Sequence, residues 1–118
     1  MHATLLAALM MVESGGDPAV RDGDGGRAVG VLQITAACVR DVNRYSGATY
    51  RWPQDCRDMD KSRRIAAIYL TEYGTRRGKL TARDLALIWN RGPRGARRGD
   101  PGGYWRKVER ELAQLNRE

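Results

Sequence analysis

One carboxylate in the sequence stands where general acid chemistry needs it, at the boundary between an apolar segment and a turn. Glu13 follows the apolar residues 9–12 and precedes Ser14 and two glycines. The apolar segment is predicted to be helical, so Glu13 would lie at the negative end of the helix dipole, beside apolar side chains. Both conditions disfavour the anion and raise the pKa of the carboxyl. A carboxylic acid that stays protonated near neutral pH is a general acid, although an ordinary helix end is the simpler interpretation of this stretch alone.

Three further polar side chains stand at comparable boundaries. Gln33 interrupts the apolar run AVGVLQI, residues 28–34, and Asn90 ends the apolar run of ALIWNRGP, residues 86–93. Tyr104 opens the last predicted helix. Each has a structural alternative: Gln33 could satisfy backbone groups of its loop, Asn90 could cap a helix C-terminus, and Tyr104 could pack in the core.

Hydrophobic periodicity and capping residues predict five helices that would position these side chains. They cover residues 3–13, 36–46, 60–73, 81–89 and 104–115. A glycine-rich loop with three aspartates follows the first helix, and no stretch alternates as a strand would. The sequence therefore predicts an all-α, or mostly α, fold and one domain over residues 1–118.

The helix boundaries rest on particular residues. Thr35 and Asp60 are the predicted N-caps of the second and third helices. Thr81, with Asp84 three residues later, is typical of a capping box at the start of the fourth helix. Gly74 is the predicted end of the third helix, and Gly47 is the predicted end of the second.

Composition fits one globular domain with a basic surface. The 118 residues are 42% hydrophobic and 30% charged, which excludes a disordered chain. The net charge of +7 attracts polyanions such as nucleic acid, anionic lipid or cell wall, without choosing among them. The densest basic patch runs from Arg91 to Arg98.

The longest apolar stretch, residues 3–12, is far shorter than the roughly 20 residues that span a membrane. It lacks the basic start and the cleavage site of a signal peptide, so it is interpreted as a core helix. We expect no membrane span, and no signal peptide is visible in the chain.

One histidine and two cysteines are too few for a zinc site, so we expect no metal and no other cofactor. Cys38 and Cys56 could form a disulfide that closes a loop of about 18 residues, which is the slightly favoured interpretation. The alternative is two free, buried thiols.

Four stretches, in order, resemble the motifs of the lysozyme-like lytic transglycosylases, the soluble-lytic-transglycosylase family related to goose-type lysozyme. Glu13-Ser14 resembles the family's E-S pair, residues 30–33 resemble G-L-M-Q, residues 87–92 resemble the A-Y-N-x-G motif, and Tyr104 stands before the final helix. The resemblance covers roughly residues 3–112. Trp89 replaces a usual tyrosine, and Val-Leu replaces the usual Leu-Met.

The resemblance implies a lysozyme-like domain that cleaves the β-1,4 bond between N-acetylmuramic acid and N-acetylglucosamine in peptidoglycan. Glu13 would protonate the leaving oxygen and then deprotonate the muramyl C6 hydroxyl, which closes a 1,6-anhydro ring. Ser14, Gln33, Asn90 and Tyr104 would bind substrate or orient the acid. No second carboxylate is needed when the substrate supplies its own nucleophile.

A hydrolase of the same bond is the first alternative. Asp17, Asp22 and Asp24 follow Glu13 in the glycine-rich loop, and one of them could position a water, as carboxylates do in goose-type lysozymes. Because Asp-Pro and Asp-Gly steps are standard turn formers, turn formation is the favoured interpretation of all three.

Two non-enzymatic alternatives remain open. The segment RGPRGARRG could bind the phosphates of a nucleic acid, but no helix-turn-helix or RNP-like pattern accompanies it, which argues against nucleic acid as a partner. The second alternative is a transglycosylase fold that binds cell wall without cutting it.

We expect a monomer whose partner is the peptidoglycan glycan strand. It would act in the cell envelope, either in the periplasm or outside the cell, or it would be delivered by a phage.

Overall fold

The computed structural model describes residues 2–78 and 80–117, and the side chains of these residues except those of 2 and 75–77. The described residues form five helices: α1 (His2–Ser14), α2 (Ala36–Ser46), α3 (Met59–Arg77), α4 (Ala82–Arg91) and α5 (Tyr104–Asn116). Short 3₁₀ turns lie at Asp24–Gly26, Gln54–Arg57 and Gly95–Arg97. Over these residues the only extended pairings are two isolated bridges, so the predicted all-α fold is confirmed.

Helix α1 lies at the centre of the packing, in contact with α3, α4 and α5. Its sequence is apolar on most faces, and Leu5, Ala8 and Leu9 are at most 2% exposed, as expected of a helix with neighbours on several sides. This burial confirms the interpretation of the apolar stretch as a core helix. Among the described helices, none has both the length and the apolar character that crossing a membrane requires.

The predicted boundaries of α2 and the predicted start of α4 are confirmed, whereas α4 continues to Arg91, two residues past its predicted end. The side chain of Thr35 accepts a hydrogen bond from the amide of Cys38, and Gly47 ends α2 in the left-handed region at φ 73°. Thr81 and Asp84 form the reciprocal capping box at the start of α4, because each side chain accepts a hydrogen bond from the other's amide.

The predicted boundaries of α3 are wrong at both ends. Asp58, rather than Asp60, is the N-cap, and its carboxylate accepts a hydrogen bond from the amide of Lys61 at 2.8 Å. Gly74 does not end the helix, which continues to Arg77. A glycine inside a helix costs only about 1 kcal/mol relative to alanine, and the burial of Tyr73 in the preceding turn outweighs such a cost.

The glycine-rich loop after α1 is ordered by two small turns. Gly23 pairs with Ala28 and Val29 pairs with Ile34, each through two backbone hydrogen bonds of 2.8–3.1 Å. The apolar side chains that follow each turn are buried, so the loop packs against the core rather than extending into solvent. This arrangement fixes the segment that carries Gln33.

Gly30 is the point where this loop is closest to the rest of the chain. It is buried, has φ 79°, and a Cβ there would collide with the carbonyl oxygen of Cys56. That carbonyl already accepts a hydrogen bond from the buried hydroxyl of Ser62 at 2.7 Å. Only glycine fits this close approach of two backbone segments.

Cys38 and Cys56 are free thiols, which corrects the slightly favoured disulfide. Cys56 is fully buried, and its burial, with the nearby charge of Asp55, raises the pKa of its thiol to about 12. Burial also raises the pKa of the Cys38 thiol. Because disulfides form through the thiolate, these surroundings oppose oxidation of the pair.

Candidate active site

Glu13 lies in the last turn of α1, and its carboxylate meets the first residue of α5. The hydroxyl of Tyr104 donates a hydrogen bond to Oε2 of Glu13 at 2.6 Å. Tyr104 is 8% exposed, so the bond forms where α1 packs against α5 and little water competes for it. An O–H···O bond of this length is typical of a charge-assisted pair.

The surroundings of Glu13 favour its protonated form. Burial raises the pKa of Glu13, and this effect outweighs the hydrogen bond from Tyr104 and the charge of Lys107, both of which lower the pKa. The raised pKa that the sequence predicted is therefore confirmed. Burial and the neighbouring carboxylate raise the pKa of Tyr104 as well, so its hydroxyl remains a donor.

The start of α5 is held by a carboxylate that the sequence analysis did not single out. Gly103, at the N-cap of α5, has no side chain to accept hydrogen bonds from the first turn. Asp100 replaces it: Oδ1 accepts from the amide of Tyr104 at 2.8 Å, and Oδ2 accepts from the amide of Trp105 at 2.9 Å. Desolvation is the largest single effect on Asp100 and raises its pKa, but these two bonds and the charges of Arg83 and Arg91 together lower it.

The loop before α5 is also tied to the end of α4. Nη1 of Arg91 donates to the carbonyl oxygens of Arg98 and Gly99, at 3.2 and 2.6 Å. Asp100 follows Gly99 directly, so the loop is anchored to α4 immediately before the carboxylate that caps α5. A signal was present in the sequence, since an aspartate shortly before a helix start is typical of helix capping.

A cleft of about 320 Å³ opens beside the acid, and we call it the acid cleft. Its walls include Glu13, Asp24, Gln33, Trp89 and Asn90. The structure thus brings together three of the predicted site residues from three separate segments: the end of α1, the glycine-rich loop and the end of α4. Trp89 lines the cleft too, although the sequence analysis assigned it no role.

Gln33 is held in an uncommon backbone conformation at the cleft wall. Its φ is 52°, in the left-handed region that non-glycine residues seldom adopt. Its side-chain Nε2 donates to the carbonyl oxygen of Gly30 at 3.0 Å, and its own amide donates to the same oxygen at 3.0 Å. The amide nitrogen of the side chain is thus occupied, and the structure gives its Oε1 no donor among the described residues.

Ser14 is not among the residues that line the acid cleft. Its hydroxyl donates toward the carbonyl oxygens of Val31 and Met10, at 2.7 and 3.1 Å, and accepts from the amide of Gly16 at 3.1 Å. These contacts join the end of α1 to the glycine-rich loop. Ser14 therefore fixes the backbone on which Glu13 is carried.

The three loop aspartates have different positions. Oδ1 of Asp17 accepts from the amide of Ala19 at 2.9 Å, which is a turn contact. Asp22 forms a two-pronged pair with the guanidinium of Arg57, both contacts at 3.0 Å, and this pairing lowers the pKa of Asp22. Only Asp24 of the three lines the acid cleft with Glu13.

A smaller space of about 170 Å³ adjoins the acid cleft, and we call it the side compartment. Gln33, Thr35, Trp89 and Asn90 line both spaces, so these residues form the boundary between them. Trp89 also contacts Tyr69 edge-on, with ring centroids 5.7 Å apart and an interplanar angle of 82°. Trp89 therefore belongs to both spaces, whereas Glu13 and Asp24 line only the acid cleft and Tyr69 lines only the side compartment.

Comparison with known proteins identifies the family of the chain. The family profile described as transglycosylase SLT domain matches residues 1–98, which include Glu13, Gln33 and Asn90 but not Tyr104. No curated protein matches the chain. Because the profile covers well over half of the 118 residues, the chain belongs to the SLT-domain family, whose members are peptidoglycan lytic transglycosylases.

Proposed function

We propose that the chain cleaves the β-1,4 bond between N-acetylmuramic acid and N-acetylglucosamine, with Glu13 as both the general acid and the general base. The observation that carries this proposal is the half-buried carboxyl of Glu13, with its raised pKa, at the wall of an open cleft. A protonated carboxylic acid beside a substrate-sized opening can transfer its proton to a leaving oxygen.

The reaction conserves protons at Glu13. The carboxyl gives its proton to the glycosidic oxygen as the bond to muramyl C1 breaks, and the N-acetylglucosamine hydroxyl leaves. The resulting carboxylate takes the proton of the muramyl C6 hydroxyl, whose oxygen bonds to C1 and closes the 1,6-anhydro ring. Tyr104 stabilises the intervening carboxylate, because its hydrogen bond favours the anion.

The other site residues have supporting roles in this proposal. Oε1 of Gln33 is available to accept from a sugar hydroxyl or amide at the cleft wall. Asn90 lies in the last turn of α4, at the cleft wall. Its side-chain amide can donate to the carbonyl of a sugar N-acetyl group or accept from the N–H of that group. Ser14 acts indirectly, through the backbone of the turn that follows Glu13.

Hydrolysis of the same bond remains a second candidate because of one observation. Asp24 lines the cleft with Glu13, so its carboxylate could orient a water toward C1. Asp17 and Asp22 are engaged in a turn and in an ion pair, and they are not part of the cleft wall. Asp24 is thus the residue on which the choice between the two reactions depends.

The test is mass spectrometry of the soluble products released from purified peptidoglycan. We expect muropeptides that end in 1,6-anhydromuramic acid, and we expect Glu13→Gln to reduce their release by roughly 10²–10⁴-fold. Asp24→Asn should still release the anhydro products, at a rate within about twofold of the parent chain's. Products one water heavier, lost in Asp24→Asn, would instead establish a hydrolase.

A binding module gives a different result. The catalytic proposal is wrong if no soluble product is released from several wall types and the parent chain and the Glu13→Gln variant co-sediment equally with the walls. Nucleic-acid binding that falls steeply with salt, and is lost on substitution of Arg94, Arg97 and Arg98, would replace the catalytic proposal with a nucleic-acid role.

We also propose that the chain acts as a monomeric single domain on cell wall, in the envelope or outside the cell. There the net charge of +7 favours contact with anionic polymers.

A further inference from the structure

The side compartment differs in charge from the rest of the molecule. The chain carries 21 lysines and arginines against 14 aspartates and glutamates. Among the described residues that line the side compartment, none is a lysine or arginine, and the only charged one is Asp41 on α2. A compartment with one negative charge in a strongly basic protein favours a positively charged group over the anions that the remaining surface attracts.

The carboxylate of Asp41 has no partner in the part of the chain that the structure describes. It makes neither a hydrogen bond nor an ion pair there, although Arg40 and Arg44 lie on the same helix. Asp41 is also half-buried, so it keeps only part of its contact with water. A carboxylate in this situation gains by pairing with an incoming cation.

The position of Asp41 in the compartment has electrostatic support. Burial is the main cause of the raised pKa of both Cys38 and Tyr69, which line the same space, and the negative charge of Asp41 adds a smaller effect in the same direction. The carboxylate therefore acts on the inner wall, and its effect is not confined to the surface of α2.

Apart from the uncharged polar residues at the boundary with the acid cleft, the remaining wall is mainly aromatic and aliphatic. Tyr69 and Trp89 meet edge-on at 5.7 Å, and Ile34 and Pro93 complete the apolar surface near them. Aromatic faces attract ammonium groups and also accept the methylene chain that carries one. At about 170 Å³ the compartment is below the roughly 300 Å³ at which pockets bury a whole drug-sized ligand, so it suits one side chain better than a sugar pair.

We propose that the side compartment binds the primary amine of an aliphatic side chain, and that this amine belongs to the diamino acid of a peptidoglycan stem peptide. Asp41 pairs with the ammonium group, and Tyr69 and Trp89 contact the methylene chain. The identity of the ligand rests on the proposed function, because the compartment opens beside the cleft that would hold the muramyl sugar to which such a peptide is attached.

The first experiment measures peptide binding without any glycan. The probes are N-acetyl-L-alanyl-γ-D-glutamyl-L-lysine amide and the same peptide acetylated at the lysine Nε, titrated into the full chain by calorimetry. We expect the free amine to bind about fivefold more tightly than the acetylated form, as one partly exposed ion pair with an aromatic contact provides. Asp41→Asn should abolish this preference, and Asp41→Glu should keep most of it.

The matched control is Glu109→Gln, which removes one exposed carboxylate from α5 without touching either space. It should keep the fivefold preference. Equal binding of the two peptides to the parent chain, binding of neither, or an intact preference in a folded Asp41→Asn variant would each overturn the proposal.

The second experiment separates this site from the cleavage reaction. When wall amines are acetylated chemically, KM for wall digestion should rise about fivefold in the parent chain, with kcat unchanged, and should not change in Asp41→Asn. If walls are not cut but the peptide preference is found, the proposed reaction fails and the amine site stands. If walls are cut and no preference is found, the amine site fails and the reaction stands.

Discussion

The hydroxyl of Tyr104 and Oε2 of Glu13 are 2.6 Å apart, although 91 residues separate them in the chain. Their hydrogen bond joins the last turn of α1 to the first turn of α5. The acid is therefore positioned by two helices, and its protonation depends on both the burial of one and the docking of the other.

Tyr104→Phe should raise the pKa of Glu13 further, because it removes a hydrogen bond that favours the anion. A general acid is active while protonated, so the alkaline limb of the pH–rate profile should move to higher pH. We also expect kcat to fall about tenfold, from the loss of one hydrogen bond to a charged group worth ~1.5 kcal/mol.

The measurement is kcat/KM against pH on soluble glycan oligomers. Tyr50→Phe, at a half-buried tyrosine that lines neither space, should leave the profile unchanged. An alkaline limb that stays in place or moves to lower pH would contradict the role given to Tyr104.

Glu13→Gln should stabilise the protein at neutral pH. The pKa of Glu13 is raised in the folded state, so the native protein binds more protons than the unfolded chain between about pH 4.3 and the folded pKa, and stability falls as pH rises through that window. Glutamine does not ionise and can still accept from Tyr104. We expect a gain of about 1 kcal/mol at pH 7, or roughly 4 °C in Tm.

Thermal unfolding at a series of pH values measures this effect. The gain in Tm should disappear near pH 4, where Glu13 is protonated in both states. Glu109→Gln serves as the control for removal of a negative charge at an exposed position. A variant equally stable to the parent at every pH would show that the burial of Glu13 carries no cost.

Asp100→Ala should reduce activity about tenfold and lower Tm by several degrees, because the first turn of α5 loses both acceptors for the amides of Tyr104 and Trp105. Asp100→Asn keeps one acceptor and should recover part of both losses. The pH–rate profile distinguishes positioning from general destabilisation: misplacement of Tyr104 should move the alkaline limb as Tyr104→Phe does. A loss of Tm with an unshifted profile would exclude the positioning role.

Gly30→Ala should destabilise the fold by about 3 kcal/mol or more, since the new Cβ would collide with the backbone carbonyl of Cys56 and would also require a left-handed φ. Gly25→Ala is the matched control, with φ 64° and open space around its Cβ. It should cost only about 1 kcal/mol, the strain of the left-handed conformation. Urea denaturation of both variants measures the difference, and equal losses would disprove the close approach.

Local sequence chemistry predicted the ends of two helices and the environment of the acid. The Thr81–Asp84 box and the Thr35 cap depend on contacts within four residues, which can be inferred from spacing alone. The partial burial of Glu13 followed from the apolar residues before it, because the same run that makes α1 a core helix also removes part of the water around its carboxyl.

Features that depend on tertiary packing were missed. Gly74 looks like a helix end in sequence, but α3 continues past it beside the core. The aspartate that caps α3 stands two residues before the expected one, an ambiguity that spacing does not remove. Cys38 and Cys56 have an unremarkable separation in sequence, and only the folded chain shows how burial keeps both as thiols.

Three of the predicted site residues line one cleft, and the contacts that support them were not predicted. Glu13, Gln33 and Asn90 are at the cleft wall, whereas Ser14 is occupied behind it. Trp89 lines both spaces, and Asp100 and Arg91 hold the start of α5. These last contacts join residues of one irregular loop, whose conformation no periodic pattern encodes.

The separation of Glu13 and Tyr104 also has a consequence for the order in which the protein is made. Ribosomes add roughly 5–20 residues per second, so the acid emerges several seconds before the phenol 91 residues later that completes its site. During that interval α1 lacks α5, the helix that supplies this hydrogen bond. The hydrogen bond that Glu13 accepts from Tyr104 therefore forms late in synthesis, when α5 docks against α1.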